Sequence, residues 1–400
     1  MRVAFLTSEF ITETDSFDGG LSNYIFKVSI GLLKFGHQPI VIVSSNENSY
    51  LKFDGIDVYR VKPEQNLLYK FADKISSYKY QPILDLLSQS FYVNKKLRAI
   101  HEENRIDLVQ FPSYQAVGCF VPREIKSVMR ISSYQKLADE ANGVYHKTIR
   151  ERQWQILEKW SYKKAKNIFG PSSFLANIIS KEFNKHVEVI ESPNEKKEVN
   201  LDSSIITEIE AKINGKKFGL FFGRLAQIKG LLDLAEVLEE FLTNNPTHYF
   251  VIIGKDVGHR GGSSLDYLLK KVNRNQDRLI YYKEQHHDKL MPVIKKADFI
   301  LMPSRIENFP NACVEAMSLK TIVIAPRGIS FEQLIEDGVN GFLCKNANPD
   351  DLLKVIEKVV NLPSEKKKQI QFNAGETIKR LHPDITIKKL IEYYQSILKK

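Results

Sequence analysis

Three cysteines in 400 residues, Cys119, Cys313 and Cys344, are too few and too scattered for a disulfide framework or a cysteine zinc site. Their odd number fits a reduced compartment, so a cytoplasmic setting is expected. No apolar run approaches the ~18 residues that a membrane-spanning helix needs. The opening run, Met1 to Ser8, is shorter than a secretory h-region and reads as a first strand. There is no Asp-x-Asp, no Gly-x-Gly-x-x-Gly and no Walker-type loop. A metal-held diphosphate is therefore unsupported, and no metal and no cofactor is expected. No nucleic-acid motif has the required spacing, so nucleic acid is not an expected partner. The net charge of +10 is shared evenly between the halves of the chain. It fits solvated surface lysines, an anionic substrate or an acidic membrane surface.

A hydrophobic content of 43% is enough for a large core, the length suggests two domains, and strands alternating with helices read as α/β. Its most informative stretch is Ser304 to Lys320. The run Asp298 to Pro303 reads as a buried strand, and Pro310-Asn311 as a helix start. Glu307 then lies in a loop and Glu315 one turn into a helix, with both carboxylates facing the mouth of a sheet. Open α/β sheets bind ligands there. A helix start favours an anion, and carboxylates beside it suit sugar hydroxyls. Two surface glutamates on an ordinary loop and helix are the plain alternative.

A second motif follows the strand Phe218 to Phe222: Gly223-Arg224-Leu225-Ala226-Gln227-Ile228-Lys229-Gly230. A forked Arg224 and a point-charge Lys229 over one loop can neutralise a diphosphate leaving group. Two solvated loop cations are the alternative. Near the start, Gly19-Gly20 between a strand and a helix could cradle a phosphate, or simply turn the chain. Gly254, ending the strand Tyr249 to Gly254, could let backbone approach a nucleotide. His286-His287 lacks metal-ligand partners at useful spacing and reads as a helix start.

Together the motifs resemble those of the retaining GT-B glycosyltransferases, family 4 in particular. The matching residues are Pro303-Ser304, Glu307, Phe309-Pro310-Asn311, Glu315-Ala316-Met317, Gly223-Arg224-Leu225 and Lys229-Gly230. The resemblance covers nearly the whole chain and is strongest over 216–345. It implies two facing Rossmann-like domains with a cleft between them, and a donor sugar nucleotide held mainly by the second. Arg224 and Lys229 would bind the donor diphosphate, Glu307 the donor sugar and Glu315 the ribose. Backbone at Asn308, Phe309 and Asn311 would add donors, though Pro310 has no N–H. Lys283 falls where relatives seat the base, and Gly19-Gly20 where the diphosphate approaches.

One departure stands out. Relatives end the strand around Val128 with a histidine that reaches the sugar; here Ser132 occupies that slot.

The expected domains are 1–195 for the acceptor and 196–382 for the donor, with 383–400 a helix crossing back to the first. The interdomain linker reads as Glu195 to Asp202. The expected function is metal-independent, retaining transfer of a hexose from a UDP- or GDP-sugar, a co-substrate, to an acceptor hydroxyl. The acceptor would be a glycan, a lipid-linked molecule or a small molecule, in cell-surface polysaccharide or glycolipid synthesis. A catalytically silent scaffold that binds a nucleotide sugar or a partner transferase is the alternative. Between Leu67 and Ile100, six cations alternate with Tyr69, Phe71, Tyr78, Tyr80, Phe91 and Tyr92. Aromatics on a core face with lysines in solvent is the favoured reading. Contact with an anionic membrane surface, at an inner membrane face, is the other.

Overall fold

The structure is a computed structural model that describes residues 1–10, 19–64, 80–143, 148–194, 200–259 and 261–399. The chain divides into two compact units. One is Met1–Asn194 with Leu381–Lys400; the other is Glu195–Arg380.

The first unit is built on β1 (Arg2–Thr7), β2 (Gln38–Ser44), β3 (Ser49–Phe53), β4 (Ile56–Val61), β5 (Leu108–Pro112), β6 (Lys126–Arg130), β7 (Ile168–Gly170) and β8 (Glu188–Val189). Their order is β3-β4-β2-β1-β5-β6-β7-β8. Every pairing is parallel except the edge hairpin β3–β4. The helices are α1 (Gly20–Lys34), α2 (Gln81–Glu103), α3 (Gln135–Ala141), α4 (Ile149–Lys164) and α5 (Ser173–Phe183).

The two-residue period of β1 sorts its side chains onto two faces. Val3 and Phe5 join Tyr24, Val28 and Leu32 of α1. Ala4 and Leu6 join Val93 and Leu97 of α2, with Tyr162 of α4. Covering both faces is what makes such strands read as continuous apolar runs.

The second unit carries β9 (Lys217–Phe222), β10 (His248–Ile253), β11 (Leu279–Tyr282), β12 (Phe299–Leu301), β13 (Val323–Pro326) and β14 (Phe342–Cys344). All are parallel, in the order β11-β10-β9-β12-β13-β14. Its helices are α6 (Ser204–Ile213), α7 (Leu231–Asn244), α8 (Ser264–Lys271), α9 (His287–Lys296), α10 (Asn311–Ser318), α11 (Pro349–Val360) and α12 (Ser364–Ile378). Phe241, Phe250 and Phe299 form an edge-packed and tilted aromatic core. The last helix, α13 (Pro383–Lys399), returns to the first unit, where Ile387, Leu390 and Tyr394 join the core beside α1.

In each sheet the winding reverses once. It reverses between β1 and β5 in the first and between β9 and β12 in the second. Ligands of open α/β sheets bind outside the carboxyl ends of the strands at such a reversal.

Two expectations need revision, and others fall outside the described residues. Pro82, which the sequence alone would read as a break in a helical stretch, lies instead in the first turn of α2, where a missing N–H costs nothing. Phe91 and Tyr80 are not core residues but are about half exposed. The stretch 65–79, with Tyr69, Lys70, Phe71, Lys74, Tyr78 and Lys79, lies outside the described residues, as do 195–199 of the linker. Among the described residues no helix is long and apolar enough to cross a membrane.

Candidate functional site

The donor-side residues fall on loops at the carboxyl ends of four adjacent strands of the second sheet. Gly223, Arg224 and Lys229 follow β9, Gly254 follows β10, Lys283 follows β11, and Glu307 to Asn311 follow β12. The parallel sheet therefore brings the separated motifs to one edge.

Across the reversal, Lys229 and Glu307 form an ion pair through Nζ and Oε1, and both are partly buried. Ser304 Oγ donates to the same Oε1 at 3.0 Å. Ser330 Oγ donates to the Glu307 carbonyl at 2.5 Å. Glu307 is thus fixed in both side chain and backbone.

A second tie lies behind the first. Arg305 reaches Asp233 on α7 in bidentate fashion, with both contacts at 3.1 Å. Its backbone N–H donates to the Ile228 carbonyl at 2.9 Å. Gly230 makes the approach possible: its φ is +82°, and a Cβ there would stand 2.0 Å from the Pro303 carbonyl oxygen. At the neighbouring strand end, a Cβ on Gly254 would stand 1.8 Å from the Gly223 carbonyl oxygen.

Arg224 is exposed, and among the described residues it has no ion-pair partner. It is available to an incoming anion. Asn311 and Glu315, one turn apart, lie on the open face of α10, while Cys313, Val314, Ala316 and Met317 bury the other. His287 of α9 stands 4.0 Å from Glu315, an acid–imidazole approach. Phe309 and Pro310 are buried, so they shape the loop from inside. The Asn311 N–H donates to the Phe309 carbonyl at 3.0 Å and is spent within the loop. Lys283 is exposed.

Asp256 fastens the loop after β10. It accepts from the Gly258 and Ser264 N–H groups at 2.9 Å and from Ser263 Oγ at 2.6 Å. Burial opposes its ionisation, yet these donors hold its carboxyl well below the usual range. Asp233, Asp256, Arg305 and Ser330 escape sequence reasoning. Asp233, Arg305 and Ser330 find their partners on distant segments, and Asp256 finds its own within one polar loop, so no spacing marks them.

In the first unit, Gly19 caps α1 and Gly20 opens it. The Glu9 carboxylate abuts this start: a Cβ on Gly19 would meet its Oε1 at 2.7 Å. Burial raises the Glu9 pKa, and a hydrogen bond from the Ser22 backbone opposes the rise. A helix start read as a phosphate cradle is therefore fronted by a carboxylate of the chain itself.

Ser132 lies just past β6. Its N–H donates to Ser113 Oγ at 3.1 Å, and its hydroxyl receives Arg130 Nη1 at 3.4 Å. Arg130 is buried, with its guanidinium 3.7 Å from the centre of the Tyr24 ring and Nη2 donating to Ser192 Oγ at 3.0 Å. Burial pushes its pKa down.

Nearby, a small cavity is lined by Ser113, Gln115, Gln135, Trp154 and Glu158. Burial raises the Glu158 carboxyl to about 8, opposed by the Gln135 N–H, which donates at 2.9 Å. The unfolded chain releases this proton near 4.5. Stability from this group is therefore complete below that pH and is lost as pH rises through about 8. Glu158→Gln is expected to flatten thermal melts across this window. It should stabilise the protein by up to about 5 kcal/mol above pH 8, because the amide needs no proton.

Residues 202–376 match the family described as glycosyl transferases group 1. An uncharacterized glycosyltransferase of Methanocaldococcus jannaschii is 22% identical over 90% of this chain and 89% of its own. Against several other curated relatives, the chain spans about half of their length. Two solved structures resemble it over nearly the full length. Sucrose-phosphate synthase from Thermosynechococcus elongatus has a TM-score of 0.76 at 15% identity, covering 100% of both chains. Anabaena HepE in complex with UDP-glucose has a TM-score of 0.70 at 14% identity, covering 99% of this chain and 100% of its own. The fold is GT-B, an α/β architecture with parallel sheets.

Proposed function

We propose, from a glycosyl transferases group 1 match over residues 202–376, that this chain transfers a hexose from a nucleotide sugar to an acceptor hydroxyl. The observation that carries the reading is the Lys229–Glu307 pair, set across the β9/β12 reversal with the exposed Arg224 on the same loop. The bond between the anomeric carbon and the diphosphate breaks, and negative charge grows on the departing phosphate oxygens. Arg224 and Lys229 meet that charge. Cations fixed before reaction need no reorganisation when charge develops, which is where they accelerate most.

Glu307, held by Ser304 and Lys229, orients the sugar hydroxyls, and Glu315 takes the ribose hydroxyls. A diphosphate arriving at Lys229 competes with Glu307 for the same ammonium. Donor binding therefore loosens one carboxylate oxygen at the moment a sugar hydroxyl reaches it.

The transfer is proposed to retain anomeric configuration and to need no metal, with protein cations doing the neutralising. UDP-glucose in the complex of Anabaena HepE makes a UDP-sugar the first donor to test. A role in cell-surface polysaccharide or glycolipid assembly fits a lipopolysaccharide N-acetylglucosaminetransferase among the relatives.

The test is a thermal-shift screen against UDP-, GDP-, ADP- and TDP-sugars, with Lys229→Ala in parallel. A donor at about 100 times its Kd should stabilise the native chain by about 2.7 kcal/mol and leave the variant unmoved. Equal shifts in both proteins would remove Lys229 from the donor site. No shift with any of the nucleotides would count against a donor site in the isolated chain.

A further inference from the structure

One face of the first unit carries a groove unrelated to the strand-end loops. It has a volume of about 700 Å³ and lies at the amino-terminal ends of β6 and β7. Arg123, Lys126, Lys164 and Lys166 line it, with Glu124 the single acid. Glu124 is already engaged, at 4.0 Å from Arg98.

Two large aromatics are chain neighbours of its lining residues, Phe120 of Cys119 and Val121, and Trp160 of Ser161, and a third packs on Phe120. Phe91, Phe120 and Trp160 are 48%, 40% and 42% exposed. They are linked through the structure. Phe91 packs edge-on to Phe120 at 6.0 Å. Next to Phe120, the Cys119 carbonyl accepts from Lys164 Nζ. That ammonium in turn stands 5.1 Å from the Trp160 ring centre. Lys95, one turn along α2 from Phe91, is exposed beside Tyr92. Three rings joined by these contacts keep close to half of their surface in solvent.

We propose that this ridge and groove dock the protein on an anionic phospholipid surface, the rings entering the interfacial layer and the cations meeting lipid phosphates. Rings with an apolar body favour the headgroup level of a bilayer. Basic side chains beside them add attraction for anionic lipid. The cations are mostly lysines, which protein–protein interfaces deplete. That composition favours a lipid surface over a protein partner. The inference stands apart from the transferase reading, because vesicle binding does not depend on a donor or on turnover.

The experiment is flotation of the full chain with phosphatidylglycerol-containing vesicles and with pure phosphatidylcholine vesicles. Binding to the first and not to the second is expected. Phe91→Ser with Phe120→Ser and Trp160→Ser should lose it. Arg123→Glu and Lys166→Glu should each lower the partition about five-fold or more. Unchanged thermal melts of the variants would show that they remain folded. Absence of binding to anionic vesicles overturns the proposal, as does undiminished binding by the ring variant. Two other results also overturn it: single-stranded DNA displacing the vesicles from the native chain, or a native dimer that the ring variant dissolves.

Discussion

Lys229→Ala is expected to lower kcat/KM for sugar transfer by about 10³-fold, while the folded state survives. The ammonium is the only cation that the structure ties to Glu307 among the described residues. Its removal subtracts charge from the departing diphosphate and releases the carboxylate together. The pair is only partly buried, so its direct contribution to stability is small. Activity and stability should therefore separate cleanly: a large kinetic loss with a thermal midpoint moved by a few degrees at most. Glu307→Gln keeps an oxygen for Ser304 and removes the charge. It should lower turnover comparably, with a smaller effect on donor affinity than Lys229→Ala. Near-normal turnover in Lys229→Ala would sink the catalytic assignment. A melt lowered as steeply as the rate would make the residue structural instead.

The largest expected loss of stability comes from a single methyl group. In Gly254→Ala the new Cβ would stand 1.8 Å from the Gly223 carbonyl oxygen and 2.7 Å from its carbon. Both are backbone atoms, so no side chain can swing away. Both strand ends are also hydrogen-bonded: Gly223 N–H to the Ile253 carbonyl at 2.9 Å, and Gly254 N–H to that of Tyr282 at 3.1 Å. Relief would need β9 and β10 to part. A cost of about 3 kcal/mol or more is expected by urea denaturation. Gly36→Ala is the contrast, since that residue has φ +74° and nothing within 4 Å of a new Cβ. Only the left-handed backbone penalises it, by about 1 kcal/mol. Similar losses at both positions would mean that the β9–β10 approach is looser than the structure has it.

Sequence reasoning succeeded where burial leaves a simple trace. β9, β10 and β12 are covered on both faces, so the readings Phe218 to Phe222, Tyr249 to Gly254 and Asp298 to Pro303 overlap them to within two residues at each end. It failed where neighbours decide. Ser49–Phe53 alternates half-buried and exposed residues on an edge hairpin, and with no fully buried residue it leaves no apolar run. The short helix Gln135–Ala141 is mostly polar and has no apolar stripe. Phe91 reads as a core-face aromatic, yet it packs edge-on to Phe120 near the surface and stays about half exposed. At the candidate site, Lys229 and Glu307 were both legible, but not their contact. Nor was the hold of Asp233 on Arg305 from 72 residues away. Long-range ties of this kind leave no period to detect.

The return of α13 to the first unit sets an order of events during synthesis. The second unit is one continuous segment, Glu195–Arg380, so it can complete its fold before α13 has been made. The first unit emerges earlier yet stays unfinished. Until Ile387, Leu390 and Tyr394 arrive, Val28 and Leu32 of α1 face water. A chain stalled before α13 thus offers chaperones and proteases a first unit with an open apolar flank.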